Sequence, residues 1–382
     1  MRVMNIGIVG CGDICSRTYI PNIVDRFHNM SIYALCDLQT ERAERLAQQY
    51  GIPRVYTLEQ MLADPEVDIV LNTTNPQAHY PINMKALRAG KHIYTEKPFG
   101  MNLAEAREQL EYADRHGLYV GCAPDVFLGS GVQTFRKLLD DGAIGEVIGG
   151  KASIMYRGPE SLHPAPDFFY KKGAGPILDV GPYPLCDLLY FMGPAKEIYG
   201  YGGIKTPERP IKDRTVKVEV NTHLNGIISF ESGHSASVDI SWETWQAYRA
   251  PRVEIYGRKG SLYLINSDNY GAGSDVVLLE AKDLEDEHGV ITWEKMKHIA
   301  DYKKSVPVIF DSPPENRGLG LSEMVDAIQN KRKHRANGEF ALHLTELMDG
   351  FNIALATGKP YRMETTFALP EPMPLDFLDR VK

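Results

Sequence analysis

A glycine-rich stretch near the start of the chain has the residue types of a phosphate-binding turn. The segment GCGDIC begins at Gly10 directly after an apolar run that predicts a strand, and a helix is expected to begin at Asp13 and Ile14. Gly10 permits a tight turn, and Gly12 leaves no Cβ between the backbone and a pyrophosphate, which the N–H groups of a helix N-terminus favour. Cys15 stands where a third glycine is usual. The pattern predicts a dinucleotide site, and the alternative is a glycine-rich turn without a ligand.

An acidic residue follows at the spacing typical of contacts with the adenosine ribose. Asp37 ends the second predicted strand, roughly 20 residues after Cys15. Its carboxylate would repel a 2′-phosphate, which favours NAD over NADP. Arg42 and Arg45 follow closely and would soften that repulsion, so NADP stays possible. If the glycine turn binds no ligand, Asp37 is a turn residue at a strand end.

Two further predicted strands end in polar residues. One strand begins at His92 and runs into the tetrapeptide TEKP, and the segment NTTNPQAH begins at Asn72 near the end of the strand before it. Ligands bind at the carboxyl ends of parallel strands, so Lys97 should project towards the nicotinamide end of the dinucleotide and polarise a substrate oxygen. The cofactor contacts expected at these two strand ends are Thr73, Thr74, Asn75, His79, Glu96 and Lys97. The alternative for Lys97 is a surface lysine before a turn.

These strand ends need a parallel sheet to bring them together, and the first 123 residues predict one. Short β-rich runs alternate with helical patterns, which is typical of a doubly wound fold. The predicted strands are Asn5–Val9, Ser31–Cys36, Asp68–Thr73, His92–Thr95 and Leu118–Cys122. The predicted helices are Thr40–Tyr50, Thr57–Leu62, Ala78–Ala89 and Leu103–His116, and Asn102 with Glu105 forms a capping pair for the last.

Longer alternating runs after about residue 150 predict a second domain. Apolar and polar residues alternate from Ala236 to Glu243, and similar patterns occur at Val216–Val220, Val253–Ile255 and Leu262–Leu264. One apolar and one polar face indicate a mainly antiparallel sheet with helices on its apolar side. We therefore predict an α/β Rossmann domain over residues 1–123 and an α+β domain with a large open-faced sheet over residues 124–382. The polar face is a reasonable surface for a homodimer or homotetramer, and the tail from Pro360 should be irregular.

Composition argues against several classes of function. The 50 acidic and 42 basic residues give a net charge of -8, which disfavours a nucleic-acid partner because its phosphates would be repelled. No uninterrupted apolar run approaches the ~18 residues of a membrane span. The five cysteines include no CxxC pair and are expected to be reduced thiols in a cytoplasmic protein. No group of His or Cys residues has the spacing of a metal site.

With these motifs, the chain resembles the glucose-fructose oxidoreductase and inositol dehydrogenase family (Gfo/Idh/MocA) over nearly its whole length. The resemblance rests on the glycine turn, on the stretch from Thr73 through AGKHIYTEKP to Pro98, and on GAGPILDVGPYPLCD from Gly173 to Asp187. It implies a Rossmann domain followed by an open-faced sheet domain. It also implies oxidation of a sugar or cyclitol hydroxyl with NAD or NADP, and a cis peptide bond between Lys97 and Pro98.

The resemblance gives roles to individual residues. Lys97 corresponds to the catalytic lysine, Asp179 to an acid on an active-site helix, and Tyr183 to a position often held by histidine. Free tyrosine ionises near pH ~10, so Tyr183 needs a neighbouring ammonium such as Lys97 to act as a base; otherwise it packs in the helix. Asp179, Tyr183 and Asp187 are spaced to share one helical face. Asp187 either reaches the substrate or is a structural hydrogen-bonder.

Two loops supply the remaining substrate-binding candidates that the resemblance implies. Asp125 lies in GCAPDVFLG, after the last predicted Rossmann strand, and His163 lies in LHPAPDFFY. Pro164 and Pro166 make the second loop rigid, so a structural role is the alternative for His163.

One function and two alternatives follow. We expect an NAD(P)-dependent oxidoreductase acting on CH–OH groups, which oxidises a hydroxyl of a sugar, sugar derivative or cyclitol by hydride transfer. The first alternative is a glycosidase that retains NAD and acts by transient oxidation and elimination. The second is a non-catalytic regulator that senses the dinucleotide, although such proteins tend to lose the lysine or the acid, and Lys97 and Asp179 are both present.

Overall fold

A computed structural model describes residues 2–161, 166–211, 214–245, 250–266, 275–309 and 315–381. The chain divides into two compact units. The first contains Met1–Asp125, Glu315–Glu346 and Met373–Lys382, and the second contains Val126–Pro314 and Leu347–Pro372. The sequence predicts one boundary after residue 123. The structure differs because two later segments of the chain return to the first unit.

Backbone hydrogen bonds account for the returning segments. Cys122 N, on the last strand of the first unit, donates to Ala336 O (3.3 Å), and Gly121 forms a β-bridge with Asn337. This pairing covers a sheet edge that would otherwise present free backbone groups. The partners are far apart in sequence, so local periodicity carries no signal for them.

The first unit is a Rossmann fold, as predicted. Its strands are β1 Met4–Val9, β2 Met30–Cys36, β3 Ile69–Asn72, β4 His92–Thr95 and β5 Val120–Cys122. Its helices up to this point are α1 Ile20–Arg26, α2 Thr40–Tyr50, α3 Leu58–Ala63, α4 Pro76–Arg88 and α5 Leu103–His116. The strands pair in parallel in the order β2-β1-β3-β4-β5. From β1 the chain first adds β2 on one side and then adds β3, β4 and β5 on the other side. Sheets of this kind bind ligands at such a switch point, at the carboxyl ends of their strands.

A π-helical turn, Cys15–Tyr19, joins the glycine-rich segment to α1. The N–H of Ile20 bonds to Cys15 O, five residues back, and Pro21 follows without an N–H to continue the ordinary pattern. Cys15 and Tyr19 are fully buried. The wide turn therefore directs the Tyr19 side chain into the interior of the first unit.

The second unit contains a nine-stranded sheet and a separate two-stranded sheet. The strands are β6 Val147–Met155, β7 Ala195–Gly203, β8 Glu208–Ile211, β9 Arg214–Lys217, β10 His223–Phe230, β11 Ser235–Ser241, β12 Pro251–Gly257, β13 Gly260–Ile265, β14 Asp275–Glu280, β15 Lys304–Val306 and β16 Tyr361–Arg362. The large sheet has the order β15-β14-β13-β12-β6-β11-β10-β7-β16. Its β11–β6 pair is parallel and its other pairs are antiparallel, as predicted.

Helices cover one face of the large sheet. The remaining helices are α6 Ser130–Asp140, α7 Pro176–Asp179, α8 Pro182–Met192, α9 Trp293–Lys297, α10 Leu319–Gln329, α11 Gly338–Thr357 and α12 Phe377–Val381. Of these, α6 and α8 pack on the sheet. Along β11, Ala236, Val238 and Ile240 are buried, in agreement with the predicted alternation. Among the described helices, none has both the length and the apolar character needed to cross a bilayer.

Two local predictions for the second domain were wrong. Val216 does not belong to the large sheet, because β8 and β9 form their own hairpin around a small core with Trp242. The hairpin is held by Arg209, whose buried guanidinium lies 2.8 Å from both Glu160 and Glu243. The tail after residue 360 is also more ordered than expected, since it contains β16 and α12.

Candidate active site

The glycine turn packs directly against the end of β3. Gly10 has φ +99, and a Cβ at this position would lie within 2.9 Å of the backbone of Thr73 and Thr74. The Thr73 hydroxyl donates to Gly10 O (2.6 Å), and Gly10 N donates to Cys36 O (2.8 Å). Both the backbone conformation and the close approach therefore require glycine at position 10. Thr73 was expected to contact the cofactor; its hydroxyl instead secures the turn.

Gly12 has the properties of a position that a ligand approaches. No described atom lies within 4 Å of the place that a Cβ would occupy, and its φ is outside the left-handed region. The fold itself thus gives no reason for glycine here, whereas a pyrophosphate close to the backbone does. The helix begins at Asp13 and Ile14, whose side chains are exposed and partly buried, respectively. The turn and the helix start fit a dinucleotide phosphate.

Asp37 lies beside this turn at the end of β2. Its Oδ2 accepts a hydrogen bond from Cys11 N (2.7 Å), and its Oδ1 accepts one from Gln39 N (2.8 Å). The side chain remains partly exposed, so it can still accept from ribose hydroxyls. A carboxylate held at this point repels a 2′-phosphate. The residues therefore fit NAD better than NADP.

The cysteine side chains in and around the glycine turn are buried. All five cysteines are buried and free of disulfides, as predicted. A hydrogen bond with Cys15, together with burial, raises the pKa of Cys11, and burial raises the pKa of Cys36 to about 11. These groups stay neutral thiols at physiological pH and act as small apolar side chains.

Lys97 follows the end of β4 and is partly buried. Its bond to Pro98 is cis, as the family resemblance implies. The N–H of Lys97 lies 3.3 Å from Glu96 Oε2, and the buried Glu96 accepts a hydrogen bond from the Tyr19 hydroxyl (2.8 Å). Arg317 lies 3.7 Å from the same carboxylate. The Glu96 carboxylate thus accepts from the backbone N–H before Pro98. The Arg317 guanidinium and the Tyr19 hydroxyl stabilise its negative charge.

The loop after β3 contains the remaining expected cofactor contacts. Thr74 is partly buried and donates through N–H and hydroxyl to Asn72 Oδ1 (3.2 and 2.7 Å). Asn75 is exposed at the start of α4 and makes no side-chain cap bond there. Its amide is therefore accessible to a ligand at the carboxyl end of β3.

His79, one of the expected cofactor contacts, lies in the interior of the first unit. Its side chain is fully buried, with Nδ1 2.9 Å from Pro98 O and Nε2 3.0 Å from Thr74 O. Burial lowers the pKa of His79, so the imidazole is neutral at physiological pH. A neutral imidazole carries one N–H, so His79 donates a hydrogen bond to one of these two loop carbonyls and packs against the other.

Asp125, an expected substrate contact, is hydrogen-bonded within the fold. It is fully buried within the first unit, where Oδ2 accepts hydrogen bonds from the Tyr94 hydroxyl (2.8 Å) and from Gly320 N (2.7 Å). Gly320 lies in the first turn of α10, so the carboxylate compensates an N–H group that the helix leaves free. These bonds give Asp125 a structural role, and its substrate contact stays a prediction.

Asp179, Tyr183 and Asp187 do not share one continuous helix. Asp179 is the last residue of α7, while Tyr183 and Asp187 belong to α8. Gly181 N bonds to Pro176 O (2.8 Å) and closes the first helix, and Pro182 begins the second with no N–H to continue it. Both Asp179 and Tyr183 are partly buried.

The other two substrate candidates have different outcomes. Asp187 is fully buried, with the Cys186 thiol 3.8 Å from its Oδ1, and both roles left open above stay predictions. His163 lies outside the described residues. Among the described residues, no group of His, Cys, Asp or Glu side chains is arranged to hold a metal ion.

Sequence reasoning missed two residues near Lys97. Asn83 in α4 and Gln109 in α5 are fully buried and hydrogen-bonded to each other (2.9 Å). A signal was available, because Gln109 falls beside the apolar positions Ala106 and Ala113 of the predicted helix. A polar residue on an apolar helix face indicates a buried partner.

Comparison with known proteins agrees with both units. The oxidoreductase family GFO/IDH/MocA, described by its NAD-binding Rossmann fold, matches residues 4–123, and the C-terminal domain of the same family matches residues 132–263. A solved structure of levoglucosan dehydrogenase in complex with NADH and L-sorbose superposes with a TM-score of 0.78 at 17% identity. It covers 96% of this chain and 100% of that chain, and so shows the fold.

Two curated relatives are similar in sequence. Myo-inositol 2-dehydrogenase of Thermotoga maritima is 24% identical over 69% of this chain and 75% of its own length. The dTDP-3,4-didehydro-2,6-dideoxy-alpha-D-glucose 3-reductase of Streptomyces violaceoruber is 32% identical over 48% of this chain, and the match spans 53% of that enzyme. With both family domains matched in order and the glycine turn, Asp37 and Lys97 in place, the chain belongs to the GFO/IDH/MocA family of NAD-binding oxidoreductases.

Proposed function

We propose that this protein is a dehydrogenase that oxidises a hydroxyl of a sugar, sugar derivative or cyclitol with NAD. The proposal rests on two features that lie at the same end of one parallel sheet. One is the glycine turn hydrogen-bonded to Asp37, and the other is Lys97, which follows β4. By their names, the two curated relatives act on an inositol and on a dTDP-linked deoxy sugar. Ring hydroxyls are thus the substrate groups that the relatives support.

Gly10, Gly12 and Asp37 bind the cofactor in this proposal, and Lys97 handles the proton. NAD, when bound, supplies the nicotinamide that takes a hydride from the substrate carbon. The ammonium of Lys97 stabilises negative charge on the substrate oxygen as the C–H bond breaks. Tyr183 accepts the hydroxyl proton as its phenolate, which the same ammonium stabilises.

In this proposal, residues of the second unit orient the substrate. Asp179 accepts hydrogen bonds from neighbouring hydroxyls of the ring, and His163 assists it. Carboxylates commonly recognise polyols in this way because each oxygen accepts more than one hydrogen bond. Asp125 and Asp187 are fully buried, and this proposal assigns them no step.

A screen for NAD reduction over aldoses, cyclitols and anhydro sugars tests the function. We expect stoichiometric NADH with at least one member of the panel and weaker reduction of NADP. Release of an aglycone from glycosides without net NADH would instead support the NAD-retaining glycosidase. Binding of NADH with no turnover of any substrate would support the regulator.

The open face of the large sheet is the proposed surface for self-association. Tyr199 on β7 and Ile227 on β10 are direct cross-strand neighbours and are 47% and 53% exposed. Tyr201 on β7 is 82% exposed. Large apolar side chains on one sheet face support a homodimer or homotetramer through that face.

A further inference from the structure

A chain of three buried amides connects the end of β3 with the turn that follows β4. Asn72, Asn83 and Gln109, here called the amide chain, are all fully buried. Asn72 Nδ2 donates to Asn83 Oδ1 (2.8 Å), and Asn83 Nδ2 donates to Gln109 Oε1 (2.9 Å). Gln109 Nε2 then donates to the carbonyl of Phe99 (2.9 Å), two residues beyond Lys97. The amide chain therefore reaches from the cofactor loop to the backbone next to Lys97.

The backbone groups at both ends determine the direction of every amide. Thr74 N–H can only donate, so Asn72 presents Oδ1 to it and turns Nδ2 towards Asn83. The Phe99 carbonyl can only accept, so Gln109 presents Nε2 to it and turns Oε1 towards Asn83. Asn83 satisfies both neighbours in a single orientation. Each amide thus accepts on the Thr74 side and donates on the Phe99 side.

His79 forms a second link between the same two loops. Its ring lies between Thr74 O (3.0 Å) and Pro98 O (2.9 Å). The Phe99 carbonyl is therefore held by Gln109 from α5, and the Pro98 carbonyl lies against the ring of His79 from α4. On the other side of Lys97, its N–H faces Glu96.

Burying three amides in an apolar core is unfavourable in free energy unless every amide is hydrogen-bonded. The apolar core of the first unit, which includes Met84, Ile93 and Ala106, occupies the same helices and strands. Buried amides in such a core lose water and must find every partner within the protein. Apolar side chains would fill the space without that demand. The amides therefore contribute a defined position of the two loops rather than stability alone.

We propose that the amide chain and His79 position Lys97 relative to the cofactor loop at Thr74. They touch neither the substrate nor the cofactor in this proposal and act through the backbone on both sides. The inference rests on the proposed function, in which Lys97 handles the hydroxyl proton. Its consequence is that the rate of the proton-coupled step depends on side chains in the core of the first unit.

The first test is Asn83→Leu, which removes the central link and contacts neither loop directly. We expect kcat to fall by about 10-fold or more, with the Kd for NADH, measured by fluorescence titration, within about threefold of wild type. Amide hydrogen exchange at Thr74 and Lys97, whose N–H groups donate to Asn72 and Glu96, should accelerate together. The substrate is the panel member that gives the highest rate of NAD reduction with the wild-type protein.

The second test uses the direction of the amide chain. In Gln109→Glu the ionised side chain cannot donate to the Phe99 carbonyl, whereas the neutral acid can donate there and still accept from Asn83. The kcat of this variant relative to wild type should therefore rise as the pH falls. A substitution that only loosened the fold would give a ratio independent of pH. The substitution is nearly isosteric, so it remains informative if Asn83→Leu does not fold.

Asn337→Ala is the matched control. Asn337 is a buried amide of the same unit that accepts from Phe340 N (3.0 Å) at the start of α11, outside the amide chain. This variant should lower thermal stability with kcat unchanged. If folded Asn83→Leu keeps kcat within about twofold and the Gln109→Glu ratio is flat with pH, the positioning proposal is overturned. If Lys97→Ala retains wild-type turnover, Lys97 is not the group being positioned; if no member of the panel is turned over with NAD, the proposed function itself fails, and the exchange data still report whether the two loops are coupled.

Discussion

The carboxylate of Asp37 and the backbone N–H of Cys11 are joined by a 2.7 Å hydrogen bond. The residue expected to bind the ribose is thereby attached to the middle of the turn expected to bind the pyrophosphate. One end of the dinucleotide site is thus a single hydrogen-bonded unit. Its charge can be removed by substitution while the bond to the turn is kept.

Asp37→Asn keeps an acceptor for Cys11 N, loses the acceptor for Gln39 N, and removes the negative charge. We expect the Kd for NAD to rise several-fold and the Kd for NADP to fall by about 10-fold, because repulsion of the 2′-phosphate is removed. Fluorescence titration with NADH and NADPH measures both. Asp25→Asn, at an exposed position in α1, is the control. An unchanged preference would show that Asp37 does not select the cofactor.

Lys97→Ala should lower kcat by about 10³-fold and leave the Kd for NADH within a few-fold. The reason is that the ammonium acts on charge that develops as the hydride leaves. Steady-state kinetics and NADH titration measure the two quantities. Wild-type turnover in this variant would remove Lys97 from the mechanism.

Tyr183→Phe removes the hydroxyl and keeps the ring. If the tyrosine shares the proton with Lys97, the pH profile of kcat changes shape as well as height. If Tyr183 only packs in α8, the profile keeps its shape. Initial rates across the pH range in which the wild type is stable distinguish the two roles.

His334 should make the stability of the first unit depend on pH. Burial lowers its pKa to about 4, whereas a histidine in the unfolded chain titrates near ~6.5. The unfolded state binds the proton more tightly, so the contribution of neutral His334 is complete above pH ~6.5 and is lost as the pH falls towards the folded pKa. The loss amounts to about 3 kcal/mol at most, by the usual conversion of a pKa difference.

His334→Gln tests this dependence because glutamine does not titrate. Between pH ~6.5 and ~4 its unfolding temperature should fall less steeply than that of the wild type. Calorimetry at several pH values measures the difference. Parallel curves would mean that His334 is not the group responsible.

Ile227→Lys should disrupt self-association through the open sheet face. A charge in the middle of an apolar contact is unfavourable without a partner. We expect a lower mass by light scattering than for wild type, whereas Val24→Lys, at an exposed apolar position of the first unit, should leave the mass unchanged. A wild-type protein that is already monomeric would refute the proposed surface.

Local patterns predicted the first unit well. The strand His92–Thr95 and the helices Thr40–Tyr50 and Leu103–His116 have the predicted bounds, and Asn102 caps the last by accepting from Glu105 N (3.0 Å). These features depend on periodicity and capping within a short segment. The glycine turn was recognisable for the same reason.

Long-range relationships were not predictable in this way. Asp125 had the sequence context of a loop residue, but its partner is Gly320, nearly two hundred residues later. The helix shared by Asp179 and Tyr183 was expected from spacing, although Pro182 in the same motif could have indicated the break. Burial of His79 between two carbonyls depends on the packing of α4, which its sequence does not reveal.

The bridge between Gly121 and Asn337 has a consequence for synthesis of the chain. The nucleotide-binding unit cannot close its last strand until a segment more than two hundred residues downstream has left the ribosome. Until then, β5 presents an unpaired edge. A truncated version that stops at residue 123 would keep that exposed edge permanently and would be prone to aggregate, so a soluble fragment needs residues 315–346 joined to it.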